Sequence, residues 1–187
     1  MMMLLLAKIV KLAWFDDAEV KNAVVPQLTK ILHKQNPRHK LIGLKAIDQL
    51  LVEMSYMTKM RNLAVNRRIS LSFRDTALFE IFTNNLTYIA KLVEQIEIEF
   101  ASNNQRNIDV ILDSLEVCLE TYHKCLTFDF IAVLLNETLD EPSQINLPSS
   151  WTTYVENPQT INALFYLCKL VLQKIPFVCR NISQASE

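Results

Sequence analysis

Glycine appears once in the 187 residues, at Gly43, and proline six times. With a single glycine, the residue that accepts positive φ most readily, glycine-rich phosphate loops, two-residue hairpins and most β architectures are disfavoured. Helices need few glycines, and the class read from this shortage is all-α. Histidine is also scarce. His33, His39 and His123 are far apart in the chain, and none belongs to a His-Glu-x-x-His or nucleophile motif. The four cysteines, Cys118, Cys125, Cys168 and Cys179, include no Cys-x-x-Cys pair. A disulfide framework and a structural zinc site are both disfavoured, and the thiols read as reduced core hydrophobes of a cytosolic or nuclear protein. Cys118, Cys125 and His123 come nearest to a ligand set, but their spacing is poor for zinc. No metal, no cofactor and no enzymatic activity are expected. Long apolar runs are missing as well. Met1–Ala7 has no basic residue ahead of it, and Lys8 and Lys11 interrupt it well short of a membrane span.

Charge is present in quantity and unevenly placed. Residues 1–75 carry 13 Lys/Arg against 6 Asp/Glu, leaving 6 against 14 in residues 76–187, so the near-neutral total hides halves of +7 and −8. Such asymmetry steers partners and says nothing of fold. Nucleic acid is not expected, because the basic half lacks aromatic interleaving and any recognised motif. Within it, Arg67, Arg68 and Arg74 are candidate contacts for phosphate or an acidic partner. The plainer reading is a solvated turn with one arginine docked on a neighbouring helix end.

The chain reads as successive amphipathic helices. The first spans Leu4 to Trp14, with lysines on one side. Asp16 and Asp17 start a second, Ala18 to His33, in which Pro26 predicts a kink or break. Pro37 opens a third, with Leu44, Ile47, Leu51 and Met54 on one face and Gly43 at a close packing point. Ser55 to Val65 reads as irregular, and Asp75 as the cap of a long helix through Leu78, Ile81, Phe82, Ile89, Leu92, Val93 and Ile96. Beyond the polar link 101–105, Ile108, Ile111, Leu112, Leu115, Cys118, Leu119, Tyr122, Cys125 and Leu126 form an apolar stripe. Asp109, Asp113, Glu116 and Glu120 repeat with the same period on another side. Like charges at this spacing oppose a helix by about 0.2–0.5 kcal/mol per pair, and Lys124 alone offsets any of it. This acidic stripe is the candidate contact surface; the bland alternative is a solvated face. Trp151 reads as a core anchor. Asn157-Pro158 caps a last helix with Ile161, Leu164, Phe165, Cys168, Val171 and Leu172 inward, ended by Pro176. Stacked antiparallel pairs of this kind make an α-solenoid, with a compact bundle as the competing fold.

Five phrases then carry a resemblance. They are Ile9-Val-Lys-Leu-Ala-Trp-Phe-Asp16, Leu41-Ile-Gly-Leu-Lys-Ala-Ile-Asp-Gln-Leu-Leu-Val-Glu53, Arg68-Ile-Ser-Leu-Ser-Phe-Arg-Asp-Thr-Ala-Leu-Phe-Glu-Ile-Phe82, Cys125-Leu-Thr-Phe-Asp-Phe-Ile131 and Leu147-Pro-Ser-Ser-Trp151. In this order they resemble the exportin-7-like branch of the importin-β (karyopherin) nuclear transport receptors. The resemblance implies a superhelix of HEAT-type antiparallel helix pairs. It implies a carrier of protein cargo working with Ran in its GTP form and with nuclear pore proteins, between nucleus and cytoplasm. No contact transfers residue by residue. Asp109, Asp113, Glu116 and Glu120 are the expected meeting place for basic cargo or Ran. Family members are several times longer, and the likeness begins downstream of their N-terminal Ran-binding repeats. Residues 1–187 are therefore expected to form a partial array, an internal fragment or a truncated gene model. A helical-repeat interaction scaffold unrelated to transport is the alternative.

Overall fold

A computed structural model describes residues 1–56, 62–102, 105–128, 148–162, 165–166 and 168–169. Its elements are α1 (Met2–Ala13), α2 (Ala18–Leu32), α3 (Pro37–Ser55), α4 (Leu63–Phe73), α5 (Phe79–Ala101), α6 (Gln105–Leu126) and α7 (Ser149–Val155). There is no strand among the described residues, and none of their helices is long and apolar enough to cross a membrane.

Local chemistry sets several boundaries. Asp17 caps α2 by accepting the amides of Glu19 and Val20, and Asn36 caps α3 ahead of Pro37. Pro26 lies within a continuous α2 and does not end it. The stretch read as irregular ends earlier than expected, since Asn62 caps α4 through the Val65 amide. Asp75 is consequently no cap. It sits in a π-helical turn, Arg74–Leu78, that joins α4 to α5 as one long helix, and its carboxylate takes the Arg74 Nε–H at 2.7 Å.

Pairwise contacts show how these helices stack. Gly43 of α3 meets Ile31 and Leu32 of α2, where an added Cβ would lie 3.1 Å from a side-chain carbon of each. Since the two helices are joined by a short turn, they run antiparallel, and the expected close packing at Gly43 is present. Asn85 reaches Cys118 and Glu99 reaches Asn107, which makes α5 and α6 antiparallel in turn. Between these pairs the register is parallel. The starts of α3 and α6 adjoin at Gln35–Arg38 and Arg106–Val110, and Asp48 adjoins Thr121 and Lys124. Lys11 near the end of α1 meets Glu53 and Tyr56 at the end of α3. Thus α1, α3 and α6 form one layer, and α2 with the α4–α5 helix lies on the other side. This is the stacking of HEAT-type helix pairs, each burying an apolar face on the next.

Two aromatic groups fasten the stack. Trp14, Phe73 and Phe128 form a column with centroids 5.5 and 5.9 Å apart. Phe82 contacts Tyr122 at 5.3 Å and Trp151 at 4.9 Å, so α7 docks on α5 and Trp151 is the core anchor expected of it. Helical residues continue at 158–162, where the Asn157 side chain accepts the Gln159 amide. There the expectation of an inward stripe fails for its described members: Ile161, Phe165 and Cys168 are exposed. Among the described residues no packed element covers that side. Leu164, Val171, Leu172, Pro176, Cys179 and the run 129–147 lie outside the described residues.

The first helix departs furthest from its reading. Lys11 is 2% exposed, whereas Leu4, Leu5, Leu6, Ile9 and Leu12 face outward. Its ammonium donates to the carbonyls of Glu53, at 2.6 Å, and Tyr56, with the Glu53 carboxylate 4.0 Å away. A cation at these C-terminal carbonyls of α3 satisfies acceptors that the helix leaves open and meets the negative end of its dipole.

Candidate functional site

On α6 the two sequence periods become two faces. Ile108, Ile111, Leu115, Cys118 and Cys125 are buried, and Leu112, Tyr122 and Leu126 partly so. Leu119 is a correction: it is 38% exposed, because at 100° per residue it falls at the margin of the stripe, beside the carboxylates. Asp109, Asp113, Glu116 and Glu120 are all exposed along the opposite side.

Hydrogen bonds to α5 and α3 hold this helix in register. Asn85 of α5 donates its amide to the Cys118 carbonyl at 2.7 Å. Thr121 donates to Asp48 of α3 at 3.3 Å, and Lys124 Nζ lies 2.6 Å from the same carboxylate oxygen. Lys124 is also 3.6 Å from Glu120, so the cation expected to offset the stripe is engaged chiefly across the α3–α6 seam. No local spacing signals a partner 76 residues away. Among the described residues Asp113 and Glu116 make no ion pair.

The three candidate arginines do not converge. Arg67 and Arg68 lie in α4 rather than in a turn. The Arg68 guanidinium sits 4.9 Å from the Phe15 ring centroid at the end of α1, a cation–π contact. Arg74 is paired with Asp75 in the π turn.

The cysteines and the histidine of α6 sit in different surroundings. Burial pushes the Cys118 thiol well above its usual range, and burial plus the Asp48 carboxylate pushes the Cys125 thiol up to about 12. Both are protonated at neutral pH and poor nucleophiles. His123 is exposed, and among the described residues no three His, Cys, Asp or Glu side chains are grouped to hold a metal ion.

Fold and surface together define a helical-repeat segment with an acidic outer ribbon on one rung. Over 166 residues, 87% of the chain, it is 31% identical to exportin-7-A of Xenopus laevis. It is 28% identical over 165 residues to Ran-binding protein 17 of Homo sapiens and 27% over 177 residues to Ran-binding protein 16 of Drosophila melanogaster. The curated homologues of this chain are thus exportin-7 and Ran-binding proteins 16 and 17, of the exportin family. The chain spans 14–15% of the length of these relatives. No family model and no solved structure matches it.

Proposed function

We propose that this chain is a segment of a nuclear export receptor, contributing to Ran-GTP-dependent passage of protein cargo through the nuclear pore. The observation that carries the reading is the alignment of 87% of the chain with exportin-7-A and with two proteins named for binding Ran. On this reading residues 1–187 are a partial HEAT array, short of the receptor's N-terminal Ran-binding repeats and of its C-terminal remainder. The outward aliphatic face of α1 supports the continuation of the stack on that side, since a solenoid rung buries both of its stacking faces. The work is binding and conformational change, with the nucleotide held by the GTPase, shuttling between nucleus and cytoplasm.

The acidic ribbon of α6 is where basic cargo or Ran docks in this proposal. Asp113 and Glu116 are exposed and unpaired among the described residues, so they are open to cationic partners at small folding cost. Arg67, Arg68 and Arg74 are secondary candidates, engaged at least in part with the fold itself.

The test compares retention of GTP-loaded and GDP-loaded Ran, and of a purified basic cargo protein, by this chain and by a longer receptor containing it. Retention by the longer form, selective for GTP-loaded Ran, is the expected outcome. Failure of the longer form to hold either Ran or cargo sinks the proposal. Ran-independent capture of a single partner points instead to a scaffold. In the same assay, Asp113→Lys with Glu116→Lys weakens the basic cargo, and unaltered binding removes the ribbon from the proposal.

A further inference from the structure

A groove of about 570 Å³ opens where the first turns of α3 and α6 lie side by side. Arg38 and Arg106 line it from the two helices, together with the carboxamides of Gln35, Asn36 and Asn107. Both arginines are exposed, and neither guanidinium has an ion-pair partner among the described residues. Two of the amides are partly engaged: Asn36 Oδ1 accepts the Arg38 amide at 2.9 Å, and Asn107 donates to Glu99 at 3.2 Å. In sequence, the run 20–47 that includes the α3 side of the groove holds Lys21, Lys30, Lys34, Arg38, Lys40 and Lys45 and no Asp or Glu. The lining itself holds no carboxylate.

We propose that this groove binds a short acidic peptide segment of a protein partner. A guanidinium offers a planar fork of donors that matches a carboxylate, and two forks from two helices fix a segment bearing two carboxylates. The parallel register of α3 and α6 brings the positive ends of both helix dipoles to the same place and adds to the potential. The room exceeds that of a single ion, which suits a few side chains of a passing chain.

The surroundings limit the ligand to a short anion. Asp109 stands three residues beyond Arg106 on α6, with Asp113, Glu116 and Glu120 following on the same side. A polyanion continuing along α6 meets this ribbon and is repelled, whereas an acidic segment that ends at the groove is not. No aromatic side chain lines the groove to stack a nucleobase. The site is separate from the acidic ribbon and stands whether or not that ribbon binds cargo.

The test is a fluorescence-anisotropy titration of the 187-residue chain with a labelled peptide of alternating glutamate and glycine, at low and physiological salt. Arg38→Ala and Arg106→Ala are each expected to weaken binding by roughly tenfold or more, the usual weight of a charge-assisted hydrogen bond. Arg38→Glu with Arg106→Glu abolishes it, while Lys8→Ala on α1 leaves it unchanged. Thermal melts and helical circular dichroism confirm that each variant folds. Absence of peptide binding, or a double variant that binds like the parent chain, overturns the proposal. So does an oligothymidylate that binds more tightly than the peptide through the same two arginines, which would make this a nucleic-acid groove.

Discussion

In α6 the aliphatic side chains other than Leu119 face inward and the carboxylates outward, whereas in α1 a lysine is buried and Leu4, Leu5, Leu6, Ile9 and Leu12 face solvent. Both are amphipathic helices of the same layer. The difference lies in what each meets. α6 has α3 on one flank and α5 behind it, so its apolar period alone decides which side is buried. α1 meets the C-terminal end of α3, where open carbonyls want a donor, and Lys11 supplies it. A charged residue is therefore the buried anchor of α1, whereas the carboxylates of α6 stay solvated, and substitutions should separate the two.

The largest effect is expected at Lys11. Lys11→Ala leaves the Glu53 carboxylate and two helix-end carbonyls without their cation, and should cost about 4 kcal/mol in chemical denaturation, as other broken buried pairs do. The exposed Lys8, three residues away, should cost less than about 0.5 kcal/mol on the same change. Similar values for both would end the contrast. Next comes Leu115, buried on α6, whose change to Ala should cost about 3 kcal/mol through lost burial and a cavity. Leu5→Gln on the outer side of α1 should leave stability within about 0.5 kcal/mol. In α1 the outward leucine is thus dispensable, while Ala7 and Val10 stay buried.

A pH series sharpens the same point for the buried side of α6. The Cys125 thiol is raised from 9.0 to about 12 in the folded chain, by burial first and by Asp48 second. Its neutral form is favoured by the fold, so the contribution is fully present below the unfolded value and lost as pH rises towards the folded one. Between roughly pH 9 and 12 the unfolded chain binds fewer protons, and stability should fall by at most about 1.4 kcal/mol per pH unit for this group. Urea titrations at pH 8 and pH 10 should show that fall, and Cys125→Ala should lessen it. An unchanged slope in the variant would mean that the thiol is not the buried acid described.

Much of the fold was legible because period and capping are local. Asp17, Pro37 and Asn157-Pro158 mark helix starts in the sequence and do so in the structure. The phrases that carry the exportin resemblance also converge in space. Trp14, Phe73 and Phe128 form one aromatic column, and Phe82 meets Trp151 in the other. The phrases that carry the resemblance therefore include residues of the core, which explains why the fold was readable and no contact surface could be transferred. Lys11, the Asp48–Lys124 link and the groove between Arg38 and Arg106 were not legible. Each joins residues 42 to 76 positions apart, or in the groove's case two separate helix starts, and no local spacing encodes such meetings. Asp75 misled for a related reason: a carboxylate ahead of an apolar run looks like a cap unless the helix is already under way, as Asn62 makes it.

The smallest expected effect is the most useful for function. Asp113→Lys with Glu116→Lys changes net charge by +4 at two exposed residues that have no ion-pair partner among the described residues. Each new lysine stands in i,i+4 relation to a remaining carboxylate, position 113 to Asp109 and position 116 to Glu120, and these two pairs outweigh the like-charge i,i+3 pair between the lysines themselves, so melting should shift within about 0.5 kcal/mol, if anything upward. Glu120→Ala is the internal control, because it removes one contact of Lys124 while the 2.6 Å contact to Asp48 remains. A loss well beyond that range on reversing Asp113 and Glu116 would mean that the ribbon is a structural seam. A silent stability change leaves binding as the property that the four carboxylates can alter, and makes any loss of cargo readable as loss of contact.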